Sequence, residues 1–429
     1  MTVAISQAPK AASRVRWQIL IFLFAATAIL YIDRSALGIL APGLQEKMGW
    51  TEEQYGTINS AFMVAYAICF LLMGRVIDRI GTKAGYALCL SIWSLAAAAH
   101  ALSTSWLGFA AARFGLAIGQ SGNFPAANKA VAEWFPRKER ALAVGLFNGG
   151  SNVGTMTAPL VIPLVVLSSH WWGWGFLWTL PLSALWIAIW LKFYQGPSRH
   201  PRVRATELEI IHDGAEPPAQ ASRQISWRAI ASHRPFWAIA VGKFVADPIW
   251  WFYLFWGAKY LYARFGVDLK SIGLPFFLIY FLSWCLGIAL GWLSSSFLKR
   301  GWTIDKARKM GLLVCGLLAV PVMMVPHVGT MGVAIGLIAV AAGGHCGWSA
   351  NMFSLISDLF PGPATASVTG FAGFCGAVGG IIATFSVGKI LQNAGINGYA
   401  VPFAVAGCGY LLALLIIHLL VPKIKAVAF

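Results

Sequence analysis

The sequence predicts an all-α polytopic membrane protein with twelve transmembrane helices arranged as two pseudo-symmetric six-helix bundles. Three observations support this class. The chain of 429 residues is 58% hydrophobic and only 11% charged, whereas a soluble domain carries about 25% charged residues. Apolar runs long enough to cross a bilayer recur along the chain, and a segment of the first half is repeated in the second. A membrane β-barrel would show short alternating segments instead.

Twelve runs of about 20 residues each are predicted to span the bilayer. They centre near residues 29, 63, 94, 119, 152, 184, 250, 284, 315, 343, 377 and 411. Between the sixth and seventh runs lies a long polar segment that contains Pro217-Pro218. We therefore expect an N-terminal bundle at residues 1–194, a cytoplasmic linker at 195–234 and a C-terminal bundle at 235–429.

A repeated segment relates the two halves. Six positions match at a constant offset of 225 residues (358 − 133 = 225). They are Glu133/Asp358, Phe135/Phe360, Pro136/Pro361, Ala141/Ala366, Gly145/Gly370 and Gly154/Gly379. One Phe-Pro match would mean little, but six in register indicate two related halves. A substrate site between such repeats, near the membrane midplane, is typical of a secondary transporter.

The net charge of +17 indicates topology rather than nucleic-acid binding. Lys and Arg concentrate in alternate short loops, as at Arg75–Lys83 and Arg137–Arg140, while the intervening loops are poor in both, as at Ser103–Ser105. This is the positive-inside asymmetry, and it predicts that both termini are cytoplasmic. We expect a monomeric multi-pass protein of a bacterial inner (plasma) membrane, whose partners are lipid, protons and a small molecule.

The sequence predicts neither an enzyme nor a bound cofactor. The seven cysteines fall inside apolar runs without metal-ligand spacing, so we expect no metal and no disulfide. No catalytic nucleophile with a base is evident. An ATP-driven pump is disfavoured because the chain lacks a G-x-x-x-x-G-K-[ST] loop and a nucleotide-sized soluble domain. A channel remains open, and it would show neither saturation nor counterflow exchange.

Asp33 and Arg34 stand side by side in the first apolar run, Ile19–Ala41. A charge near the bilayer centre costs on the order of 3 kcal/mol, so each needs a partner or a wet cavity. Adjacent helical residues point about 100° apart, so the two cannot satisfy one another well. We predict that Arg34 binds an anionic substrate through its planar fork. Asp33 is a candidate proton carrier, and we expect Arg113 to be its partner. Arg113 is also a candidate to bind substrate. The alternative is that Asp33 and Arg113 form a static, purely structural ion pair.

Further polar residues inside the spans are candidates for substrate binding. Tyr66 can donate a hydroxyl, although a buried Tyr is often simply packed. Asn152 either binds a ligand or bridges helices. His345 matches position 120 in the repeat (120 + 225 = 345) and is either a relay or ligand residue or a satisfied core residue. Ser349 and Asn351, one turn further, are candidates to bond substrate hydroxyls.

The sequence motifs then indicate a family. The loop Gly74–Lys83, GRVIDRIGTK, resembles the G-x-x-x-D-R-x-G-x-K/R signature of the major facilitator superfamily. The segment Tyr31–Arg34, the stretch from Arg113 to Gly154 and the aromatic string Asp247–Trp256 look like the anion:cation symporter family. Within it they look most like the hexuronate and other sugar-acid transporters. The resemblance covers essentially the whole chain.

That resemblance implies uptake of an organic anion with protons, by alternating access between the halves. The implied substrate is a hexuronate such as glucuronate or galacturonate, or alternatively galactonate or glucarate. Asp78 and Arg79 of the loop motif are implied to form breakable pairs during the conformational change. Lys243 and Asp247, spaced i,i+4 beside Pro248, are either a gate or a structural bridge.

Gln120 departs from the family pattern. In sugar-acid members the matching position is usually a glutamate that is assigned a role in proton coupling, and an amide cannot carry a proton. Three explanations stay open: coupling rests on Asp33 alone, the protein facilitates transport without strong coupling, or the chain is an engineered variant trapped in one conformation.

Overall fold

The computed structural model describes residues 14–212, 226–360 and 362–427. This part of the chain is almost entirely helical and contains no strand. The helices are α1 Val15–Met48, α2 Glu52–Ile80, α3 Thr82–Leu102, α4 Trp106–Gln120, α5 Asn123–Trp134, α6 Arg137–Ser169, α7 Trp174–Leu177, α8 Leu180–Phe193, α9 Ala205–His212, α10 Trp227–Ala231, α11 Arg234–Phe265, α12 Gly273–Lys299, α13 Ile304–Ala319, α14 Met331–Leu359, α15 Gly362–Ala394 and α16 Ala400–Leu420.

The polytopic all-α class is confirmed, but the expected number of twelve spans is not reached by length and composition alone. In the described residues, ten segments are long and apolar enough to cross a membrane. One of them, residues 367–420, holds both α15 and α16. The fourth predicted span is missing from the ten because it is divided into α4, of 15 residues, and α5, of 12 residues, each shorter than the ~20 residues that a bilayer requires.

The break between α4 and α5 occurs where the chain packs closely on α3. A Cβ on Gly119 would lie 2.6 Å from the carbonyl oxygen of Cys89, so only glycine allows this approach. The helix ends one residue later, at Gln120. The close packing therefore fixes the position of Gln120 relative to the rest of the N-terminal helices.

The repeated segment occupies equivalent places in the two halves. α5 ends before Phe135 and α14 ends before Phe360, and both residues are extended, with φ of −119°. A helix of 33 residues follows in each case, α6 and α15. Pro361 of the repeat lies outside the described residues.

In its described residues, the predicted linker contains two short α-helices, α9 and α10. Glu207 of α9 is fully buried, and its carboxylate accepts the backbone N–H groups of Val15 (3.3 Å) and Arg16 (3.1 Å). The first part of the linker thus supplies hydrogen-bond acceptors for N–H groups at the start of α1, which have no partner within the helix. Residues 213–225, with Pro217-Pro218, lie outside the described residues, and the expected domain boundaries stay a prediction.

Candidate functional site

Arg34 of α1 lies in the interior of the protein, where its exposed fraction is 1%. Its Nε donates to Oε1 of Gln120 at 2.9 Å, and Nε2 of Gln120 donates to the carbonyl oxygen of Leu30 at 3.1 Å. The amide therefore holds one edge of the guanidinium. Within the described residues, the buried Nη2 of Arg34 has no hydrogen-bond partner. An unmatched charged donor in a buried site is suited to bind an anion.

Four aromatic rings surround the Arg34 guanidinium. Its Cζ lies 4.9 Å from the ring centre of Tyr31, 5.2 Å from Phe62, 5.1 Å from Tyr66 and 5.3 Å from Trp251. Tyr66 also stacks on Phe62. Rings at these distances stabilise a desolvated cation, so they offset part of the cost of burying Arg34. Tyr66 was predicted at this site; sequence reasoning did not assign Phe62 or Tyr31.

Arg113 supports the site without contacting Asp33. Its Nη1 donates to the carbonyl oxygen of Arg34, and its Nη2 donates to Oδ1 of Asn59, both at 3.2 Å. The guanidinium lies over the rings of Phe62 and Phe255. Arg113 is fully buried, and in this conformation it positions the α1 backbone; that it binds substrate stays a prediction.

Asp33 faces a different set of neighbours. The Thr179 hydroxyl donates to its Oδ1 at 2.6 Å, and the Trp93 side chain lies beside the carboxyl group. The predicted ion pair of Asp33 with Arg113 is wrong for this conformation. The physical reason is the rotation of about 100° between adjacent helical residues, which turns Asp33 towards α3 and Thr179 while Arg34 faces Trp251 of the other half.

The C-terminal half contributes His345 on α14. Its Nδ1 lies 2.9 Å from the Tyr410 hydroxyl, and its ring stacks on Trp250 with centroids 5.2 Å apart. Tyr31 of the first half is within electrostatic range of Asp247 and of Cys346, the neighbour of His345. Side chains of both halves therefore converge around Tyr31 and Arg34.

Three other predicted residues form no hydrogen bond with this cluster in the part of the chain that the structure describes. Asn351 is buried, and its Nδ2 donates to carbonyl oxygens of Gly347 (2.9 Å) and of Leu290 on α12 (3.3 Å). In this conformation Asn351 bridges two helices, and that it binds substrate stays a prediction. Asn152 and Ser349 are partly exposed, and the structure shows no hydrogen bond from their side chains to the described residues around Arg34.

Three of the four predicted gating residues form ion pairs in the described part of the chain. Lys243 and Asp247 are paired at 2.8 Å, as predicted from their spacing. Asp78 pairs with Lys129 at 2.8 Å, a partner that the sequence did not indicate, and Arg79 is exposed. Their role in gating stays a prediction.

The two halves are joined at the end of the bundle opposite the chain termini, here called the Glu52 end. Glu52 of α2 forms an ion pair with Lys259 of α11, and its backbone N–H donates to the side chain of Gln392 at 3.0 Å. The Tyr55 hydroxyl donates to the carbonyl oxygen of Phe255 at 2.5 Å. The sequence did not predict these contacts, because nothing local relates residues so distant along the chain.

Helices α2 and α15 approach closely beneath that ion pair. A Cβ on Gly56 would lie 3.1 Å from the Cα of Gly388, and the hydroxyls of Ser60 and Thr384 are 2.9 Å apart. Small residues allow helix backbones this close in a membrane. The halves are therefore packed against each other from the Glu52 end towards the middle of the bundle.

Comparison with known proteins is consistent with this architecture. A sequence profile described as the Major Facilitator Superfamily matches residues 23–384. The chain is similar to the hexuronate transporter of Escherichia coli strain K12, with 31% identity over 389 residues that cover 89% of each chain. It is also similar to the galacturonate transporter of Dickeya chrysanthemi, with 38% identity over 265 residues, 61% of this chain and 76% of that one.

Among solved structures, the fold is similar to that of a bacterial homologue of the human lysosomal transporter Spinster in an inward-facing, unoccupied conformation. The TM-score is 0.76 at 18% identity, and the match covers 96% of this chain and 98% of the other. At this identity the likeness concerns the fold alone.

Proposed function

The chain belongs to the Major Facilitator Superfamily, and from this premise we propose that it carries a sugar acid across the membrane with protons. It is a multi-pass membrane transporter and not an enzyme. The proposed substrates are the hexuronates glucuronate and galacturonate. A relative named as a hexuronate transporter matches most of the chain, and one named as a galacturonate transporter matches a large part of it. Galactonate and glucarate are the alternatives, since further relatives carry those names.

The observation that carries the proposal is the environment of Arg34. Its buried Nη2 has no hydrogen-bond partner among the described residues, so a carboxylate that reaches this donor when the halves move apart would compete with no protein acceptor for it. The ring centres of Tyr66 and Trp251 lie 5.1 and 5.3 Å from the guanidinium carbon. These rings offer faces on which the C–H groups of a sugar ring can pack. One charged donor next to apolar walls is typical of a small-molecule site.

The other half completes the proposed site. His345, held by Tyr410 and stacked on Trp250, is the polar group that we assign to the sugar hydroxyls. Binding of one substrate by Arg34 on α1 and His345 on α14 would join the two halves across it. Such a shared site is what alternating access between repeats requires.

The contacts between the halves suggest which way the site is closed. The ion pair of Glu52 with Lys259 lies at the end opposite the termini. If both termini are cytoplasmic, as the distribution of Lys and Arg predicts, this is the outer end. We propose that the structure is closed to the outside, and that opening requires the Glu52–Lys259 pair and the Gly56–Gly388 contact to separate.

A direct test is uptake of labelled sugar acids into proteoliposomes. We expect saturable uptake of glucuronate and galacturonate, counterflow exchange between them, and no competition by glucose, which lacks the carboxylate that Arg34 would bind. Empty liposomes are the control. Faster uptake of galactonate or glucarate than of either hexuronate would favour the alternative substrates. Uptake that does not saturate and shows no counterflow would contradict a carrier.

The Asp33 carboxyl group is the proposed proton carrier, because Gln120 cannot take up a proton. With one proton per substrate, an inward gradient of one pH unit supports about tenfold accumulation. We expect Asp33→Asn to remove this accumulation, since an amide keeps the shape and can still accept the Thr179 hydroxyl but does not titrate. Counterflow, which needs no net proton movement, should persist.

Two results would alter this assignment. Gradient-driven accumulation that persists in Asp33→Asn would remove Asp33 as the carrier. Absence of accumulation in the unmodified protein, with normal counterflow, would favour a second function, facilitated transport without coupling. The hydrogen bond of Gln120 to Arg34 supports that second function, because this contact does not depend on protonation. Thr179→Ser is the matched control for Asp33→Asn. It keeps the hydroxyl group that donates to Asp33 and should leave accumulation unchanged.

A further inference from the structure

We propose that a groove between α13 and α16 binds the headgroup and one acyl chain of an anionic phospholipid. The groove lies on the outer surface of the C-terminal helices, away from Arg34, and has a volume of about 470 Å³. It lies at the end of the bundle that carries the chain termini, because α13 begins and α16 ends there.

The wall of the groove is apolar and its rim is basic. Met310, Leu313 and Leu414 line it, together with Lys306 and other polar residues at the rim. Beyond Leu313, the exposed side chain of Leu317, one helical turn further along α13, continues the apolar surface. An apolar channel that begins at cations and opens onto a lipid-facing helix matches the chemistry of a phospholipid, whose charged head and hydrocarbon chain are joined end to end.

The charges around the rim are not cancelled by the acidic residue in the groove. Asp305 is paired with Lys309 at 2.7 Å, and it also accepts the backbone N–H of Ile424 at 3.0 Å. Lys306 is exposed and lies over the ring of Trp302 at 4.5 Å. The structure therefore leaves the Lys306 ammonium group available to a ligand.

The C-terminal tail adds further cations. Lys309 donates to the carbonyl oxygen of Pro422 at 2.6 Å, and Ile424 is held by Asp305. These contacts fix the tail beside the groove, so the exposed residues Lys423 and Lys425 lie next to its rim. Together with Lys306, they produce a local excess of positive charge.

Membrane chemistry favours lipid over a soluble anion as the occupant. Basic pockets between transmembrane helices at the cytoplasmic side bind anionic lipid headgroups, and the distribution of Lys and Arg predicts that this end is cytoplasmic. A free phosphate shares the headgroup chemistry, but it would leave Met310, Leu313 and Leu414 uncovered. The apolar wall is the feature that points to a lipid.

The test is native mass spectrometry of the delipidated full chain with dioleoyl phosphatidylglycerol and dioleoyl phosphatidylcholine, which share acyl chains and differ in charge. We expect retention of phosphatidylglycerol at lower concentration than phosphatidylcholine. Lys306→Gln should weaken that retention about fivefold, as expected for loss of one lysine near an anionic lipid. Leu414→Trp should weaken it too, because the indole fills the groove while the charges remain.

Lys192→Gln is the matched control, because Lys192 is also exposed and lies at the same end of the other half, at the end of α8. It should leave the lipid preference unchanged. Equal retention of both lipids by the unmodified protein would overturn the proposal, as would an unchanged preference in both groove variants. Displacement of phosphatidylglycerol by millimolar inorganic phosphate would also overturn it, because the occupant would then be a soluble anion. Unchanged counterflow activity in each variant shows that it is folded.

Discussion

Arg34→Ala is expected to reduce sugar-acid uptake by about 30-fold to 5,000-fold, which corresponds to the 2–5 kcal/mol lost when one partner of a buried charge pair is removed. The variant would lose the donor for the substrate carboxylate. It would also leave Oε1 of Gln120 without the contact that it makes at 2.9 Å. Initial uptake rates in proteoliposomes and stabilisation of the purified protein by glucuronate should both fall.

Two variants control this experiment. Arg34→Lys keeps the charge but loses the planar fork, and we expect it to recover only part of the activity, because an ammonium group cannot bind a carboxylate in the bidentate way. Arg199→Ala removes an exposed arginine of the predicted linker and should have little effect. Undiminished uptake by Arg34→Ala would remove the anion-binding assignment. A variant that is aggregated in gel filtration would be replaced by Arg34→Gln, which keeps a polar side chain of similar length.

The sequence singled out Arg34 as a candidate but did not indicate the side chains that contact it. Arg34 stood out because a charge inside an apolar run is expensive, and that argument needs no neighbours. The predicted pairing of Asp33 with Arg113 was wrong because the sequence does not show which neighbouring helix each face of α1 contacts. Opposite charges on neighbouring spans suggested an ion pair, yet Thr179 faces Asp33, and the carbonyl oxygen of Arg34 faces Arg113.

The aromatic rings around Arg34 could be predicted only in part. The chain contains 20 Trp and 27 Phe, so composition cannot select Trp251 or Phe62 from among them. Tyr31 was within reach of sequence reasoning, because it precedes Arg34 by one helical turn and residues three apart share a helix face. The same spacing rule correctly predicted the Lys243–Asp247 pair within one helix.

Contacts between the halves could not be predicted from the sequence. Glu52 and Lys259 are 207 residues apart, and their pairing depends on how α2 lies beside α11 in this conformation. The fold class was accessible because hydropathy, charge asymmetry and the internal repeat are properties of the chain itself. Which end of the bundle is closed depends instead on contacts between residues that are far apart in the sequence.

Gln120→Glu is expected to raise gradient-driven accumulation above that of the unmodified chain, because a second titratable carboxyl group beside Arg34 allows a second proton per substrate and, without a membrane potential, up to about 100-fold accumulation per pH unit. In the structure, the Gln120 amide accepts from Arg34 and donates to the carbonyl oxygen of Leu30. A protonated Glu can make both contacts. An ionised Glu would face the Leu30 carbonyl oxygen with a second acceptor and would form an ion pair with Arg34.

The ionised form would therefore compete with the substrate carboxylate for Arg34, so that substrate binding favours protonation at position 120. Uptake by Gln120→Glu should rise as the external pH falls, whereas uptake by the unmodified chain should depend on pH only through Asp33. Gln54→Glu is the matched control: it makes the same amide-to-carboxylate change in the capping box at the start of α2, where glutamate is equally suited. If Gln120→Glu accumulates no more substrate than the unmodified chain under the same gradient, the amide at position 120 does not limit coupling, and Asp33 or another group carries the proton alone.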